Sequence, residues 1–327
     1  MPRLDINHAL DEEFEVLEGR PGHFKPRKKR SQHALLNEKL VKTSVQDLGA
    51  DEVFNPTLGS SRHEREWIFT YLGPFYNYQY ITDVLRRIKG GKEANVYVCK
   101  AHPSMQMDYL AAKLYRPRMM RNLRNDARYR QNRNVLDEYG KVIHDGRVLH
   151  AVMKGTSYGK EISHTSWLQH EYSILQTLYE AGLPVPKPVA CANNTILMDY
   201  VGGLDLPAPT LVETSLSSTE ARRTFDILID AVERMLSHNC IHADLSAYNV
   251  LFWEGQPTII DFPQAVDPFG NPEAWDIFRR DVVRICQYFT RYGIKNQPVE
   301  LASAMWEKHG PHPQPIDLEE EQEEEME

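Results

Sequence analysis

Two acids and one amide stand beside apolar runs within the stretch IHADLSAYNVLFWEGQPTIIDFPQ. Asp244 and Asn249 share one short segment, and Asp261 follows an Ile-Ile pair further along. Burying a carboxylate without a partner is costly, so each acid in such surroundings needs a cation or a metal ion. Metal-assisted phosphoryl transfer uses oxygen ligands for Mg²⁺ and a residue that orients the nucleophile. The sequence therefore predicts a phosphoryl-transfer site, with Asp244 orienting the nucleophile and Asn249 and Asp261 as Mg²⁺ ligands.

A predicted hairpin brings these three side chains together. Val250–Trp253 and residues 258–260 have the composition of two strands that turn at Glu254-Gly255. The second strand ends beside the loop that precedes the first strand, so Asp261 returns to that loop. The site can form without any long-range pairing.

Protein kinases carry the same motifs in the same order: an upstream V-A-I-K lysine, then H-R-D-L-x-x-x-N, then D-F-G. Here LAAK supplies Lys113 on a predicted strand, residues 242–249 are HADLSAYN, and residues 261–263 are DFP. In kinases this lysine holds phosphates of ATP. Lys113, Asp244 and Asp261 are therefore the predicted catalytic residues.

A helical glutamate is the next element that a kinase site requires. Glu171 lies at helical spacing from Leu168, Leu175 and Leu178, so it points inward with the apolar face of its helix. An inward carboxylate needs a cationic partner, and Lys113 is the predicted one.

The remaining nucleotide contacts are predicted in a glycine-containing loop and a hinge. GGKEANVYV keeps one glycine of the kinase loop, adds a lysine that can face the phosphates, and runs into a strand. A second predicted strand ends in MDYV before Gly-Gly, which fits the hinge that contacts adenine. The predicted nucleotide-binding residues are Gly91, Lys92, Val96, Lys113, Glu171, Met198 and Val201.

The order of strands and helices predicts an α+β fold of two lobes, kinase-like, and excludes a doubly wound sheet. A small, mainly β lobe with one key helix precedes a mainly helical lobe. The predicted divisions are a disordered basic extension at 1–60, a short helical lead-in at 61–88, an N-terminal lobe at 89–200 with an Arg-rich insertion at 116–165, a C-terminal lobe at 201–294, and an acidic tail at 295–327.

The segments GGKEANVYV, IHADLSAYN and IIDFPQAV resemble the RIO family of atypical protein kinases, over about residues 85–294. GKEANVY is the most specific of them, because ordinary kinases do not use that loop. The resemblance implies a compact kinase core that depends on ATP and Mg²⁺ and acts in ribosome maturation. It also implies that Asp261 can itself accept a phosphoryl group. HADLS is typical of one branch and DFPQ of another, which favours a separate branch, such as a bacterial one.

Two departures from ordinary kinases concern peptide substrates. Ala243 replaces the arginine that, in regulated kinases, pairs with a phosphorylated activation loop. The NPE at 271–273 resembles A-P-E but follows Asp261 too closely for a long activation loop. Both departures favour an ATPase switch, with Asp261 as phosphate acceptor, over an enzyme that selects peptides. Direct transfer to a protein hydroxyl is the rival.

Charge and cysteine content point to an intracellular protein. The formal net charge of −8 argues against a protein that coats nucleic acid. The four cysteines are far apart and predict reduced thiols. The charged N-terminus lacks a signal-peptide pattern, and no apolar run could span a membrane, so we expect a cytoplasmic protein with no membrane partner.

An arginine-rich segment predicts one macromolecular contact. RPRMMRNLRNDARYRQNR begins with Arg116 and ends with Arg133, and Arg121, Arg124 and Arg128 would share one helical face. A solvated helix or a disordered insertion would also explain the composition. With the family resemblance, contact with RNA or a ribosomal particle is the favoured interpretation.

Two other functions fit the motifs. A small-molecule phosphotransferase of the aminoglycoside or choline kinase type shares the H-x-D-x-x-x-x-N and I-D motifs. GKEANVY, the basic segment and the short region after Asp261 argue against it. A nucleotide-sensing assembly factor without turnover is the third hypothesis. The catalytic set argues against it, because every member is present: Lys113, Asp244, Asn249 and Asp261.

Overall fold

The computed structural model describes residues 54–91, 94–116, 134–192 and 194–311. Several sequence predictions lie outside these ranges: the basic extension up to residue 53, Lys92, residues 117–133 of the arginine-rich segment, and the acidic end from residue 312. In the described part of the chain, no helix is both long and apolar enough to cross a membrane.

A five-stranded antiparallel sheet forms the first lobe. Its strands are β1 (Ile81–Gly90), β2 (Ala94–Ala101), β3 (Tyr109–Tyr115), β4 (Pro188–Ala192) and β5 (Thr195–Asp199). The order across the sheet is β1-β2-β3-β5-β4. Lys113 of β3 pairs with Val96 of β2 and with Ile196 of β5, so it lies at the centre of the sheet.

Helices cover both faces of this sheet. On one face, α1 (Arg62–Asn77) buries Ile68, Leu72 and Phe75 against the strands. On the other, α3 (Ser157–Glu180) packs Leu168, Leu175 and Leu178 into the core that continues into the second lobe. A short helix, α2 (Gly146–Met153), precedes α3 and touches it where a side chain at Gly159 would collide with the Ala151 carbonyl.

The second lobe is mainly helical. Its helices are α4 (Ser218–Ser237), α5 (Ala274–Thr290) and α6 (Pro298–His309), and the hairpin β6 (Val250–Trp253) and β7 (Gln256–Ile259) lies among them. Ser217 and Glu220 form a capping box at the start of α4. The predicted two-lobed α+β fold is confirmed.

Three predicted divisions differ from the structure. Residues 81–88 belong to strand β1 and not to a helix. The strand was not predicted, because the register shifts of β1 against β2 break the alternation of apolar and polar residues that indicates a strand. Residues 54–60 pack on β1, where the Leu58 amide donates to the Val84 carbonyl, so this part of the extension is ordered. Residues 298–309 form α6, which packs on α4 and α5, so the region predicted as a tail begins with a helix.

Candidate active site

Lys113 joins the two lobes through two carboxylates. Its Nζ donates to Glu171 Oε1 at 2.7 Å and to Asp261 Oδ1 at 2.6 Å. The Glu171 side chain is 1% exposed and Asp261 43%, so the ammonium lies between a buried and a solvent-facing acid. Tyr115 donates its hydroxyl to the second oxygen of Glu171. The predicted Lys113–Glu171 ion pair is present.

Electrostatics keep this cluster charged. Burial would lower the pKa of Lys113, but the Asp261 and Glu171 carboxylates raise it above its ordinary value. Burial would raise the pKa of Asp261, but the Lys113 ammonium outweighs it and holds that pKa below the usual range. Lys113 and Asp261 are therefore an ammonium and a carboxylate at neutral pH. Their pairing prepares one charge to face phosphate and the other to face a metal ion.

The loop from His242 to Asn249 positions Asp244 by its backbone as much as by its side chain. The Asn249 Nδ2 atom donates to the Asp244 carbonyl at 2.9 Å and approaches Asp244 Oδ2 at 3.4 Å. Ala243 has φ 68° and Asp261 φ 75°, conformations that cost a non-glycine residue about 1–3 kcal/mol. Strained backbone at two of the segments that carry the predicted residues is typical of a functional site.

His242 braces this loop and is not aimed at substrate. Its Nε2 donates to the Ile260 carbonyl at 3.1 Å, and its Nδ1 accepts from the Asp244 amide at 3.3 Å. This pattern requires the neutral imidazole, which agrees with a pKa that burial lowers. His242 thus ties the Asp244 loop to the strand that leads into Asp261.

Helix α5 packs against the same loop. Asp281 is 2% exposed, and burial raises its pKa to about 7 although Arg280 and the amides of Ala243 and Leu245 act in the other direction. Those amides face the carboxylate, but neither oxygen makes a hydrogen bond of regular geometry with a described residue. Arg280 donates to the Ala243 carbonyl. Asp281 thus lies beside the amides of the catalytic loop.

Two cations near the site were not among the sequence predictions. Arg284 Nη1 donates to Asp244 Oδ1 at 3.0 Å. Lys89, on β1, helps lower the pKa of Asp261. The only sequence signal for Arg284 is its i,i+4 spacing from Arg280 beside a buried acid, which places both arginines on one face of α5.

The hairpin places Asn249 beside the segment that leads to Asp261. The Ile260 amide donates to the Asn249 carbonyl at 2.9 Å, directly before Asp261. Because Nδ2 of Asn249 is used by Asp244, its Oδ1 is the atom left for a cation. Among the described residues, no group of three or more His, Cys, Asp or Glu side chains could hold a metal ion. One carboxylate and one amide fit Mg²⁺, which takes few protein ligands and completes its shell with phosphates and water.

The predicted hinge connects β5 to the second lobe. Met198 is 9% exposed, and the Val201 carbonyl accepts from the Ala208 amide at 3.1 Å. Gly202 has φ 137°, and a side chain there would collide with the Ala208 nitrogen. Arg86 of β1 clamps this hinge by donating to the Asp205 carbonyl at 3.0 Å and to the Tyr200 hydroxyl at 3.0 Å.

The glycine-containing loop connects β1 to β2. The Gly91 amide donates to the Ala94 carbonyl at 3.0 Å, which closes a tight turn, and Lys92 lies outside the described residues. Val96 follows on β2 and pairs with Lys113, so it lies beside the lysine that joins the lobes. The structure thus brings Lys113, Glu171 and Asp261 into contact, with Asp244 and Asn249 on the adjoining loop.

The chain matches the family model of the RIO domain over residues 95–302. It is 35% identical over 135 residues to the RIO-type serine/threonine-protein kinase Rio1 of Thermoplasma acidophilum, which covers 41% of this chain and 69% of that protein. It is 30% identical over 217 residues to the serine/threonine-protein kinase RIO1 of Homo sapiens, which covers 65% of this chain. The chain spans only 34% of the human protein's length.

The fold is similar to that of a solved kinase. The Rio2 kinase of Chaetomium thermophilum, in a complex described as ADP/Mg²⁺-phosphoaspartate, superposes with a TM-score of 0.52 and 19% identity. The match covers 88% of this chain and 78% of the Rio2 chain. At this level of identity the similarity concerns the fold.

Proposed function

The chain belongs to the RIO family of serine/threonine-protein kinases, and from this premise we propose that it is an ATP- and Mg²⁺-dependent phosphotransferase with ATPase activity. The observation that carries the proposal is Lys113 held between Glu171 and Asp261 at the junction of the lobes. In kinases this pairing of a strand lysine with a helical glutamate positions the phosphates of ATP.

Each residue has a defined part in the proposed reaction. Lys113 binds the α- and β-phosphates. The other nucleotide-binding residues are Gly91, Lys92 and Val96 for the phosphates and Met198 and Val201 for the adenine. Asp244 orients the nucleophile. Asn249 and Asp261 would hold Mg²⁺, which offsets negative charge on the transferring phosphoryl group.

The short segment after Asp261 favours transfer to water or to the protein itself. The Ile241 amide donates to the Val266 carbonyl at 2.9 Å, and the Val266 amide donates back at 2.8 Å. The chain therefore rejoins the catalytic loop within a few residues of Asp261, and α5 begins at Ala274. This geometry leaves little chain from which to build a peptide-binding platform.

The test is incubation of the full chain with γ-labelled ATP and Mg²⁺, alone, with ribosomal particles, and with aminoglycoside and choline substrates. We expect Mg²⁺-dependent release of phosphate and label on the chain itself. Label transferred efficiently to a small molecule would favour the small-molecule phosphotransferase instead. ATP binding without turnover in every arm would leave a nucleotide-sensing factor.

We further propose that the chain acts in ribosome or ribonucleoprotein maturation in the cytoplasm, and that the segment from Arg116 to Arg133 contacts RNA. Its support is the composition of the segment, seven arginines and one aspartate, together with family membership. Only Arg116 of this segment lies within the described residues, at the end of β3, the strand that also carries Lys113.

Replacing Arg121, Arg124 and Arg128 by alanine together should weaken RNA binding and reduce its salt dependence. For every arginine that no longer neutralises a phosphate, the slope of log K against log salt should fall by roughly one unit. Binding of labelled ribosomal RNA is measured across a salt series, and ATP turnover without RNA should hardly change. The matched control replaces Arg222 and Arg223, which are exposed on α4. Equal slopes for the triple variant and the wild type would contradict the RNA contact.

A further inference from the structure

Arg284 makes a contact at the candidate active site that stability alone does not explain. Its Nη1 lies 3.0 Å from Asp244 Oδ1, and the two side chains are 40% and 58% exposed. An ion pair this open to solvent contributes little to folding, on average about 0–1 kcal/mol. A contact of low structural value at the residue that orients the nucleophile points to a role in the reaction.

The surroundings of Asp244 show what Arg284 adds. The Asp244 backbone is fixed by His242 and Asn249, and Asn249 approaches Oδ2 at 3.4 Å, beyond a strong hydrogen bond. Oδ1 accepts a hydrogen bond from the Arg284 guanidinium. Without this guanidinium, the carboxylate would be free to rotate about its Cβ–Cγ bond while the backbone stayed in place.

Helix α5 is a rigid support for this guanidinium. Arg280, one turn earlier, donates to the Ala243 carbonyl, and Asp281 lies between them facing the same loop. One turn of α5 therefore contacts the backbone of the loop at Ala243, and the next turn contacts the side chain of Asp244. Groups on a packed helix hold catalytic geometry better than groups on a loop.

We propose that Arg284 is a positioning residue that holds the Asp244 carboxylate in the orientation required to receive the attacking hydroxyl or water. The inference rests on the proposed phosphotransferase function and adds a residue to it. Arg284 acts through Asp244 and is assigned no contact with ATP. A single charge-assisted hydrogen bond from Nη1 to Oδ1 suits this task, because the planar guanidinium loses little side-chain freedom when it forms.

The experiment compares Arg284→Ala and Arg284→Lys with the wild type in steady-state ATP turnover. Misplacement of a reacting group by about 1 Å can cost on the order of 100-fold, so we expect kcat to fall by about 10- to 100-fold in Arg284→Ala. The KM for ATP should stay within about twofold, because the phosphate-binding residues are untouched. Arg284→Lys should recover only part of the loss, because an ammonium lacks the planar fork.

Arg279→Ala is the matched control. Arg279 lies on the same helix and pairs at 3.1 Å with Asp276, and this control removes the same charge without touching the catalytic loop. It should turn over ATP at the wild-type rate. Thermal unfolding of all variants, followed by circular dichroism, separates misfolding from misplacement: Arg284→Ala should melt close to Arg279→Ala.

A double variant decides whether Arg284 acts through Asp244. In an Asp244→Ala background, adding Arg284→Ala should cause no further loss, because the group to be positioned is already gone. Wild-type turnover in Arg284→Ala, or an equal loss with and without Asp244, would overturn the inference. If the wild type turns over ATP and Asp244→Ala keeps only a small residual rate, either result leaves the proposed function intact. Failure of the proposed function would appear as an inactive wild type.

Discussion

Asp244→Ala retains ATP binding and loses about 10²–10⁴-fold in turnover, if Asp244 orients the nucleophile as proposed. The expected loss is confined to kcat, because the lysine, glutamate and hinge that would bind the nucleotide remain. The side chain of Asp244 is 58% exposed and its carboxylate faces Arg284 and Asn249, so its removal leaves no buried charge uncompensated. ATP affinity by calorimetry and turnover by phosphate release measure the two effects separately.

Asp276→Ala is the control for this experiment. It removes an exposed carboxylate from α5 that also pairs with an arginine, but one remote from the loop of Asp244. It should behave as the wild type. If Asp244→Ala instead lowers the melting temperature and ATP affinity together, Asp244 is a structural carboxylate and the orienting role is wrong.

Lys113 is a poorer target for the same purpose. Its removal would leave Glu171, which is 1% exposed, as a buried and uncompensated charge. Breaking such a buried pair costs about 3–5 kcal/mol. A loss of activity in Lys113→Ala would therefore combine a catalytic effect with a folding effect. Asp244 and Asp261 are better targets, because both face solvent and their replacement should affect folding less.

The parts of the site that the sequence predicted are those fixed by local spacing. Glu171 points inward because the helical repeat that carries Leu168 and Leu175 fixes its direction. The hairpin of β6 and β7 follows from two apolar runs around Glu254-Gly255, and it brings Asp261 back to the loop with no further information. Local rules suffice where a side chain's direction depends only on its own element.

The parts that sequence reasoning missed depend on packing between distant segments. Arg284 meets Asp244 only because α5 crosses beneath the catalytic loop, and no spacing in the sequence states where that crossing occurs. Strand β1 was missed for a different reason: Ile81, Val84, Leu85 and Ile88 have helical spacing. Its register shifts against β2 displace the alternation by which a strand is recognised.

Asp261→Asn should reduce Mg²⁺-dependent turnover to background and abolish covalent labelling of the chain by γ-labelled ATP. Asp261 is proposed as both metal ligand and phosphate acceptor. The amide lacks the charge that balances Mg²⁺, and it cannot form an acyl phosphate. The replacement keeps the shape of a side chain that is 43% exposed, so the fold should be retained. Phosphate release over a range of Mg²⁺ concentrations measures the first effect. Activity and Mg²⁺ dependence that survive unchanged would show that the metal assignment is wrong.

The chemistry of the label then separates the two possible acceptors. In the proposed reaction an Asp261 carboxylate oxygen forms a bond to the γ-phosphorus while the bond to the β–γ bridging oxygen breaks, and ADP leaves with that electron pair. Water then attacks the phosphorus, which releases inorganic phosphate and restores the carboxylate. An acyl phosphate on Asp261 is labile to hydroxylamine, whereas phosphoserine and phosphothreonine are stable.

We therefore expect hydroxylamine to remove the label from wild-type protein, and mass spectrometry after the reaction to place the modification at Asp261. The control is Asp267→Asn. Asp267 is the next carboxylate after Asp261, and its Oδ1 accepts a hydrogen bond from the Phe269 amide at 2.9 Å. This variant should be labelled as the wild type is. Asp261 is the acceptor that we expect, because its carboxylate contacts Lys113 and is 43% exposed, whereas Glu171, the other carboxylate on that lysine, is only 1% exposed. Label that resists hydroxylamine and accumulates on serine or threonine of a ribosomal partner, at the rate of ATP loss, would replace the switch with a conventional protein kinase.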